Sequence, residues 1–321
     1  MSGTAVAELR AALPGRISNE LSDADLARFL RARSQNVAKA TEMINKWDKW
    51  WNSALPGTES LLPKDSCTEP DAHEEVYREL MPHSNLGEDK EGRPIYWEKT
   101  GLISNRMKEV KKHLTEDQLF VRHVRQQEIM IRRLRAKSEK YGRPIEKQIL
   151  VMDVKNVSIQ MDFVAMNVFK RSLQIDESCY PERLQTMFMI NAPALFTVLW
   201  SLVKPWIDPV TVQKIRILGS NYQDVLKEFI DEDHIPVEYG GTKEDMHWTF
   251  PESLDIDVSS LRGDHSTVDD AASVAVAAAI STVDTGNATI MPSPSLEDAI
   301  AKLKADEEEE TQTAATISVL A

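Results

Sequence analysis

A chain of 321 residues, 42% hydrophobic and 28% charged, has enough apolar material for one sizeable core or two small ones, which excludes a wholly disordered protein. Its two cysteines, Cys67 and Cys179, lie far apart in sequence, so neither a disulfide framework nor a zinc site is implied and a reducing, cytoplasmic compartment is expected. The net charge of −13 is uneven: twelve acidic residues stand against three basic ones from Asp257 onward. The nearly balanced body excludes nucleic acid as an expected partner.

The first residues, "MSGTAVAELR", show no basic segment followed by an apolar one, so no secretory signal is expected. "SDADLARFLRARS" predicts a helix opened by a Ser22/Asp25 capping box, with Leu26, Phe29 and Leu30 on one face and Arg28, Arg31 and Arg33 on the others. A second helix follows Asn36, with Val37, Ala40, Met43, Ile44 and Trp47 at helical spacing. Residues 1–60 are thus predicted to form a small all-helical subdomain.

From Pro70 the pattern becomes mixed. The predicted order is a helix over 71–81, a strand over 93–101, a helix from Thr115 to Tyr141 and a buried strand over 147–155. Then come a helix over 161–174, a strand over 183–192, a helix over 194–204, a strand over 214–219 and a helix over 222–230. Strands alternating with helices predict an α/β fold with a mainly parallel sheet over 61–255. Residues 256–321 are rich in Ala, Ser, Thr and Asp, and predict a disordered acidic tail; a short helix capped by Ser295 and Asp298 would end in the repulsion of "DEEEE".

No histidine spacing suits a metal, and no Gly-x-Ser-x-Gly or Gly-x-Gly-x-x-Gly motif occurs, so neither a hydrolase nor a dinucleotide enzyme has support. Cys179 reads as an ordinary buried thiol. The stretch Met187–Val203 is broken by Asn191, Pro193, Thr197 and Ser201 and is not expected to span a membrane. The helix within it is apolar nearly all round, so it is either buried on both sides or turned toward a lipid or a membrane surface, where Trp200 and Trp206 would suit the interface. Glu182 and Arg183 precede one strand; Thr211 and Lys214 precede another. They form either a local salt bridge at the sheet edge or the charged mouth of a cavity lined by Met187, Phe188, Met189 and Ile190.

Five blocks in order, "LARFLRARSQNVAKATEMINKW", "DKEGRPIYWEKTG", "ILVMDVKNVSI", "YPERLQTMFMINAPALFTVLWSLVKPWIDPVTVQKIRILG" and "IPVEYGGT", resemble the CRAL-TRIO lipid-binding family. They are most similar to its Sec14-like, phosphatidylinositol-transfer branch. The resemblance covers residues 20 to 245 and implies a helical N-terminal subdomain on an α/β lipid cage. It implies a mobile gate helix carrying Leu195, Phe196, Leu199, Trp200, Leu202 and Val203, with a hinge at Gly240 and Gly241. For an inositol phosphate headgroup it implies Arg33, Glu182, Thr211 and Lys214, whose donors and acceptor suit a phosphodiester and inositol hydroxyls. For a second headgroup, phosphatidylcholine in the best-known members, it implies Tyr96; Asn85 stands in place of a second tyrosine, and Gln148 and Leu150 in place of hydroxyls. The function so implied is non-catalytic: a monomer without cofactor holds phosphatidylinositol and exchanges or presents it transiently at membrane surfaces such as Golgi or endosomal ones; the alternative of another class is a lipid-sensing regulatory module that presents phosphatidylinositol to a phosphoinositide kinase. The alternative cargo is another hydrophobe, such as a sterol or tocopherol.

Overall fold

The computed structural model describes residues 3–58, 61–67, 72–158, 162–194 and 196–244. The acidic tail expected from residue 256 and the start of the 161–174 helix therefore lie outside the described residues. Four helices open the chain: α1 (Gly3–Ala12), α2 (Gly15–Glu20), α3 (Asp23–Ala32) and α4 (Val37–Trp51). The capping box before α3 forms as the sequence requires, with Ser22 and Asp25 each accepting from the other's backbone N–H. Leu9, Leu26, Phe29, Leu30 and Ile44 pack into one core, which Cys179 and Tyr180 complete from a later helix. Arg28 does not decorate the outside as expected. It is buried, donating to Asp25 at 3.0 Å and to the Pro181 carbonyl at 3.1 Å, so this helix is joined to the body by charge-assisted bonds as well as by grease.

The remainder is built on five strands: β1 (His83–Ser84), β2 (Ile95–Glu98), β3 (Gln148–Asp153), β4 (Leu184–Ile190) and β5 (Ile215–Ile217). They lie in sequence order across the sheet. β1 is antiparallel to β2, and the other three pairs are parallel. Each parallel step needs a crossover: α6 (Thr100–His113) and α7 (Glu116–Tyr141) link β2 to β3, and α8 (Phe163–Cys179) links β3 to β4. The link from β4 to β5 carries α9 (Phe196–Val203) and α10 (Pro209–Val212). Right-handed crossovers that always advance in one direction place their helices on the same face of the sheet. Before β1 stands α5 (Glu74–Leu80), and after β5 comes α11 (Gln223–Phe229).

The two faces of the sheet differ. Ile95, Trp97, Ile149, Val151, Phe188 and Ile190 are all buried against Tyr222, Leu226, Ile230 and Tyr239 around α11. Trp97 stacks on Tyr239 with ring centroids 5.6 Å apart. The alternate residues Leu150, Met152, Met187 and Met189 are only half-buried, although they stand in the middle of the sheet. Period-two alternation assigns them to the opposite face, and apolar side chains remain partly open there because that face lines a cavity. Phe188 and Ile190, expected with Met187 and Met189 on the cavity wall, belong instead to the solid core.

Candidate lipid cavity and its charged rim

A cavity of about 310 Å³ lies between that face and helices α6, α7 and α8. Leu150, Met152 and Met187 come from the strands, Met107 and Ile103 from α6, Met130 from α7, and Val168 and Phe169 from α8. Much of the wall is therefore flexible and apolar, as a variable hydrophobic guest requires.

One wall is polar. The Tyr96 hydroxyl donates to Glu98 Oε2 at 2.8 Å, and Thr100 donates to Glu98 Oε1 at 3.0 Å. Burial, reinforced by the Glu98 charge, pushes the Tyr96 phenol far above its ordinary pKa, so it stays a donor. Arg122 reaches in from α7, buried, with its guanidinium 5.2 Å from the centre of the Tyr77 ring. Beside it, His83 Nδ1 lies 2.9 Å from the Met81 carbonyl and Nε2 lies 3.1 Å from Gln126 Nε2. Arg122 Nη2 also lies 3.1 Å from Nδ1, so the Met81 carbonyl and the Arg122 guanidinium meet at the same ring nitrogen. Burial, with Arg122 next, lowers the His83 pKa to about 3 and keeps the ring neutral. Farther along α7, the His123 ring and Gln127 amide both engage Asp176 Oδ1, at 2.8 and 2.9 Å. Asn85 sits behind this wall, its Oδ1 accepting from Arg133 at 3.3 Å and its Nδ2 lying 3.4 Å from Gln126 Oε1. Tyr96, Gln148 and Leu150, associated in sequence through the family resemblance, all line the cavity.

The charged groups gather where β3, β4 and β5 begin. Glu182 Oε2 lies 3.4 Å from Lys214 Nζ and 3.4 Å from Lys147 Nζ. Glu182 has φ +58°, a left-handed backbone that costs a residue with a Cβ about 1 kcal/mol or more. That kink separates Glu182 from Arg183. Arg183 turns inward rather than to the mouth, donating to the Glu146 carbonyl at 3.3 Å with Asp25 at 3.8 Å. Its burial and the neighbouring Arg28 bring its pKa down to about 9. Thr211 lies in α10, where its N–H donates to the capping carboxylate of Asp208 at 3.0 Å; its carbonyl accepts from the Lys214 N–H at 2.9 Å. One tight turn therefore sets the spacing of Thr211 and Lys214. Arg33 caps the end of α3 and donates to the Ala32 carbonyl at 3.0 Å. Its helix runs past the same rim, since Arg28 touches Pro181 and Arg31 pairs with Glu146 at 2.8 Å. No hydrogen bond or ion pair among the described residues joins Arg33 itself to Glu182, Thr211 or Lys214. The structure thus brings Glu182 and Lys214 together, adds Lys147, and bonds the Arg33 guanidinium to its own helix end instead.

Sequence reasoning missed Lys147, Glu98, Arg122 and Gln126. Lys147 was legible in principle, because it precedes β3 as Glu182 precedes β4 in a parallel pair. The signal for the α7 residues was the stripe Leu119, Arg122, Gln126 and Met130, whose spacing of three and four mixes polar and apolar side chains on one helix face.

Of the expected gate residues, Leu195 lies outside the described residues, Phe196 is buried, and Leu199, Trp200, Leu202 and Val203 are half-buried. No described residue of α9 lines the cavity. Gly240 and Gly241 lie in a loop packed by the opposite face of the sheet. Gly240 has φ +87°, and a Cβ on Gly241 would collide with the Ile235 carbonyl. The Gly241 N–H donates to the Pro236 carbonyl at 3.1 Å, and Thr242 and Lys243 bond back to Glu232 and Ile235. In this structure close backbone packing is what demands glycine there. Cys179 is buried, and burial pushes its thiol pKa up to about 11, as an unreactive structural cysteine requires.

A mainly parallel sheet with one face solid and the other roofed by helices over a greasy cavity defines a lipid-cage type of fold. Residues 83–241 match the CRAL/TRIO domain model. The chain is 34% identical over 242 residues to the SEC14 cytosolic factor of Candida glabrata, covering 75% of this chain and 78% of that one. It is 33% identical over 225 residues to the Sec14 cytosolic factor of Schizosaccharomyces pombe, covering 70% and 76%. A phosphatidylinositol/phosphatidylcholine transfer protein of Arabidopsis thaliana, SFH12, is 32% identical over 68% of this chain and 39% of its own. The crystal structure of Sfh5 superposes with a TM-score of 0.56 at 18% identity, over 76% of this chain and 77% of that one, a likeness of fold. The chain belongs to the CRAL-TRIO family, and within it to the Sec14-like members.

Proposed function

We propose that this protein is a non-catalytic carrier that holds one phosphatidylinositol with its acyl chains in the cavity and its headgroup at the Glu182 rim, and exchanges it at membrane surfaces. The observation that carries this reading is Glu182 held between Lys147 and Lys214 at the amino ends of β3, β4 and β5, of which β3 and β4 supply Gln148, Leu150, Met152 and Met187 to an apolar cavity. Lys147 and Gln148 are consecutive, so the charged rim and the greasy floor meet within one strand. Two ammonium groups suit a phosphodiester, and the carboxylate accepts from inositol hydroxyls. Each acyl CH₂ sequestered from water contributes roughly 0.8 kcal/mol, so carriage requires enclosure. At about 310 Å³ the cavity lies at the lower end of ligand-site volumes, and a two-chain lipid requires it to widen. α9, short and apolar in the connection from β4 to β5, is the element we assign to that opening. Among the described residues no helix is long and apolar enough to cross a membrane; the carrier reading needs only transient, peripheral contact, in keeping with the cytosolic factors it resembles.

Transfer of phosphatidylinositol between donor and acceptor vesicles tests the assignment. Glu182→Ala and Lys214→Ala are each expected to lower the transfer rate ten-fold or more, with the thermal melt little changed because the lost ion pairs are partly exposed. Unimpaired transfer by both variants would move the headgroup elsewhere.

A further inference from the structure

A second cleft, of about 460 Å³, opens between the start of α3, the last turns of α7 and the loop that leads into β3. Glu182, Lys147 and Lys214 do not line it. Arg33 stands at the far end of α3, eight residues beyond Asp25 and so roughly 12 Å along the helix. The charged rim and this cleft are therefore separate places. Arg183, Arg135 and Arg143 lie on its lining, and the buried side chains of Leu134 and Ile145 give it an apolar wall.

Its cations are short of partners. The Arg183 side chain is only 13% exposed, yet its Nε is buried without a hydrogen-bond partner. Its remaining contacts are long, the Glu146 carbonyl at 3.3 Å and Asp25 at 3.8 Å. Beside it, Arg28 is buried with its own Nε unpartnered, and claims the same Asp25 carboxylate oxygen at 3.0 Å. Arg135 is exposed, and no hydrogen bond or ion pair reaches it among the described residues. Of the carboxylates on the lining, Asp25 is thus shared by two guanidiniums, Glu146 is taken by Arg31 at 2.8 Å, and Glu139 is exposed to water. Two buried guanidiniums on one carboxylate leave positive charge unmatched, and Arg135 adds to it. Burial and Arg28 hold the Arg183 pKa down to about 9, the response of a cation that lacks a counter-ion.

We propose that this cleft is an anion site for a phosphate monoester, carried either on a small soluble metabolite or on a lipid headgroup at a membrane surface. The proposal does not rest on the phosphatidylinositol reading, since it uses none of the rim residues. A phosphate monoester brings roughly 1.5 to 2 negative charges at neutral pH and three acceptor oxygens, where a carboxylate or a phosphodiester brings a single charge. Guanidinium forks from two different elements, Arg183 at the start of β4 and Arg135 on α7, suit the several oxygens of such a group. A cleft of this volume holds more than the phosphate, so the wall of Leu134 and Ile145 covers a short organic part, while Glu139 opposes a second anionic group.

Isothermal titration of the full chain with glycerol 3-phosphate, with glycerol as the blank, tests the soluble form. Co-sedimentation with phosphatidylcholine vesicles, with and without phosphatidic acid, tests the lipid form. With whichever probe binds, Arg135→Gln is expected to weaken binding at least ten-fold; this side chain is exposed and unpaired, so the fold does not depend on it. Lys214→Ala, which alters the rim alone, is expected to bind within two-fold of the parent. Arg135-dependent heat from glycerol 3-phosphate identifies a soluble ligand, and Arg135-dependent retention on phosphatidic acid vesicles without such heat identifies a lipid headgroup; either supports the site. Binding that persists in Arg135→Gln but falls in Lys214→Ala places the anion at the rim and overturns the proposal. Binding to neither probe, or binding equal in the parent and Arg135→Gln, overturns it as well.

Discussion

Glu128 illustrates how individual charges constrain this fold. It lies on the buried side of α7 and accepts from the Tyr180 hydroxyl at 2.8 Å. Burial dominates its environment and raises its pKa to about 7, despite that hydrogen bond and the nearby arginines. In the unfolded chain the group titrates near 4.5, so between about pH 4.5 and 7 the native state binds the proton more tightly. Its contribution to stability is present in full below pH 4.5 and is lost as the pH rises through 7. Glu128→Gln removes this dependence: from pH 5 to pH 8 the variant is expected to keep on the order of 2–3 kcal/mol that the parent loses at this site. Denaturant melts at the two pH values check it; a parent and variant that shift in parallel would show that Glu128 is ionised throughout. His83 acts with the opposite sign. With a folded pKa near 3 against 6.5 unfolded, it withdraws stability as the pH falls below 6.5.

At the scale of the elements, caps and close packing can be tested one at a time. The Ser22 hydroxyl accepts from the Asp25 N–H at 3.2 Å to start α3, the helix that also carries Arg28, Arg31 and Arg33. Ser22→Ala is expected to cost about 1 kcal/mol, measured by equilibrium unfolding. A loss near zero would mean that the core contacts of Leu26 and Phe29 fix the helix start unaided. Gly241→Ala should cost more, about 2 kcal/mol or above, because the new methyl meets the Ile235 carbonyl in a loop closed by several backbone bonds. If Gly241→Ala melts like the parent but slows lipid exchange, the loop moves during opening and its glycines act as a hinge.

The same scale explains what was readable in advance. α3, α4 and α7 announce themselves by their Ser22, Asn36 and Thr115 caps and by helical apolar spacing, and Gly142 ends α7 in a left-handed turn. β3 and β4 stand out as apolar runs because parallel strands are covered on both faces. The helices α1, α2 and α6 carry weaker patterns. α6 spreads Ile103, Met107 and Val110 among lysines, polar residues and a glycine that lets its first turn approach the Lys155 carbonyl. β1, only two residues long, offers no periodicity to find.

Over the whole molecule, the cavity side of the sheet could not be told from the solid side, since Met187 and Phe188 are equally apolar in sequence. Only the α11 segment, arriving from far along the chain to bury Phe188 and Ile190, distinguishes them. The rim residues Glu182, Thr211 and Lys214 were legible because each stands just ahead of a strand. Lys147 stands ahead of β3 in the same way but was passed over, and the polar wall on α7 takes its meaning only from which elements become its neighbours. The account as a whole depends on an interior that accepts a lipid. Native mass spectrometry of the intact chain after exposure to phosphatidylinositol vesicles tests this most directly. The expected spectrum shows one added phosphatidylinositol per chain, with that species sharply reduced in Lys214→Ala. A chain that emerges at its bare polypeptide mass, with no lipid of any kind, would contradict the account.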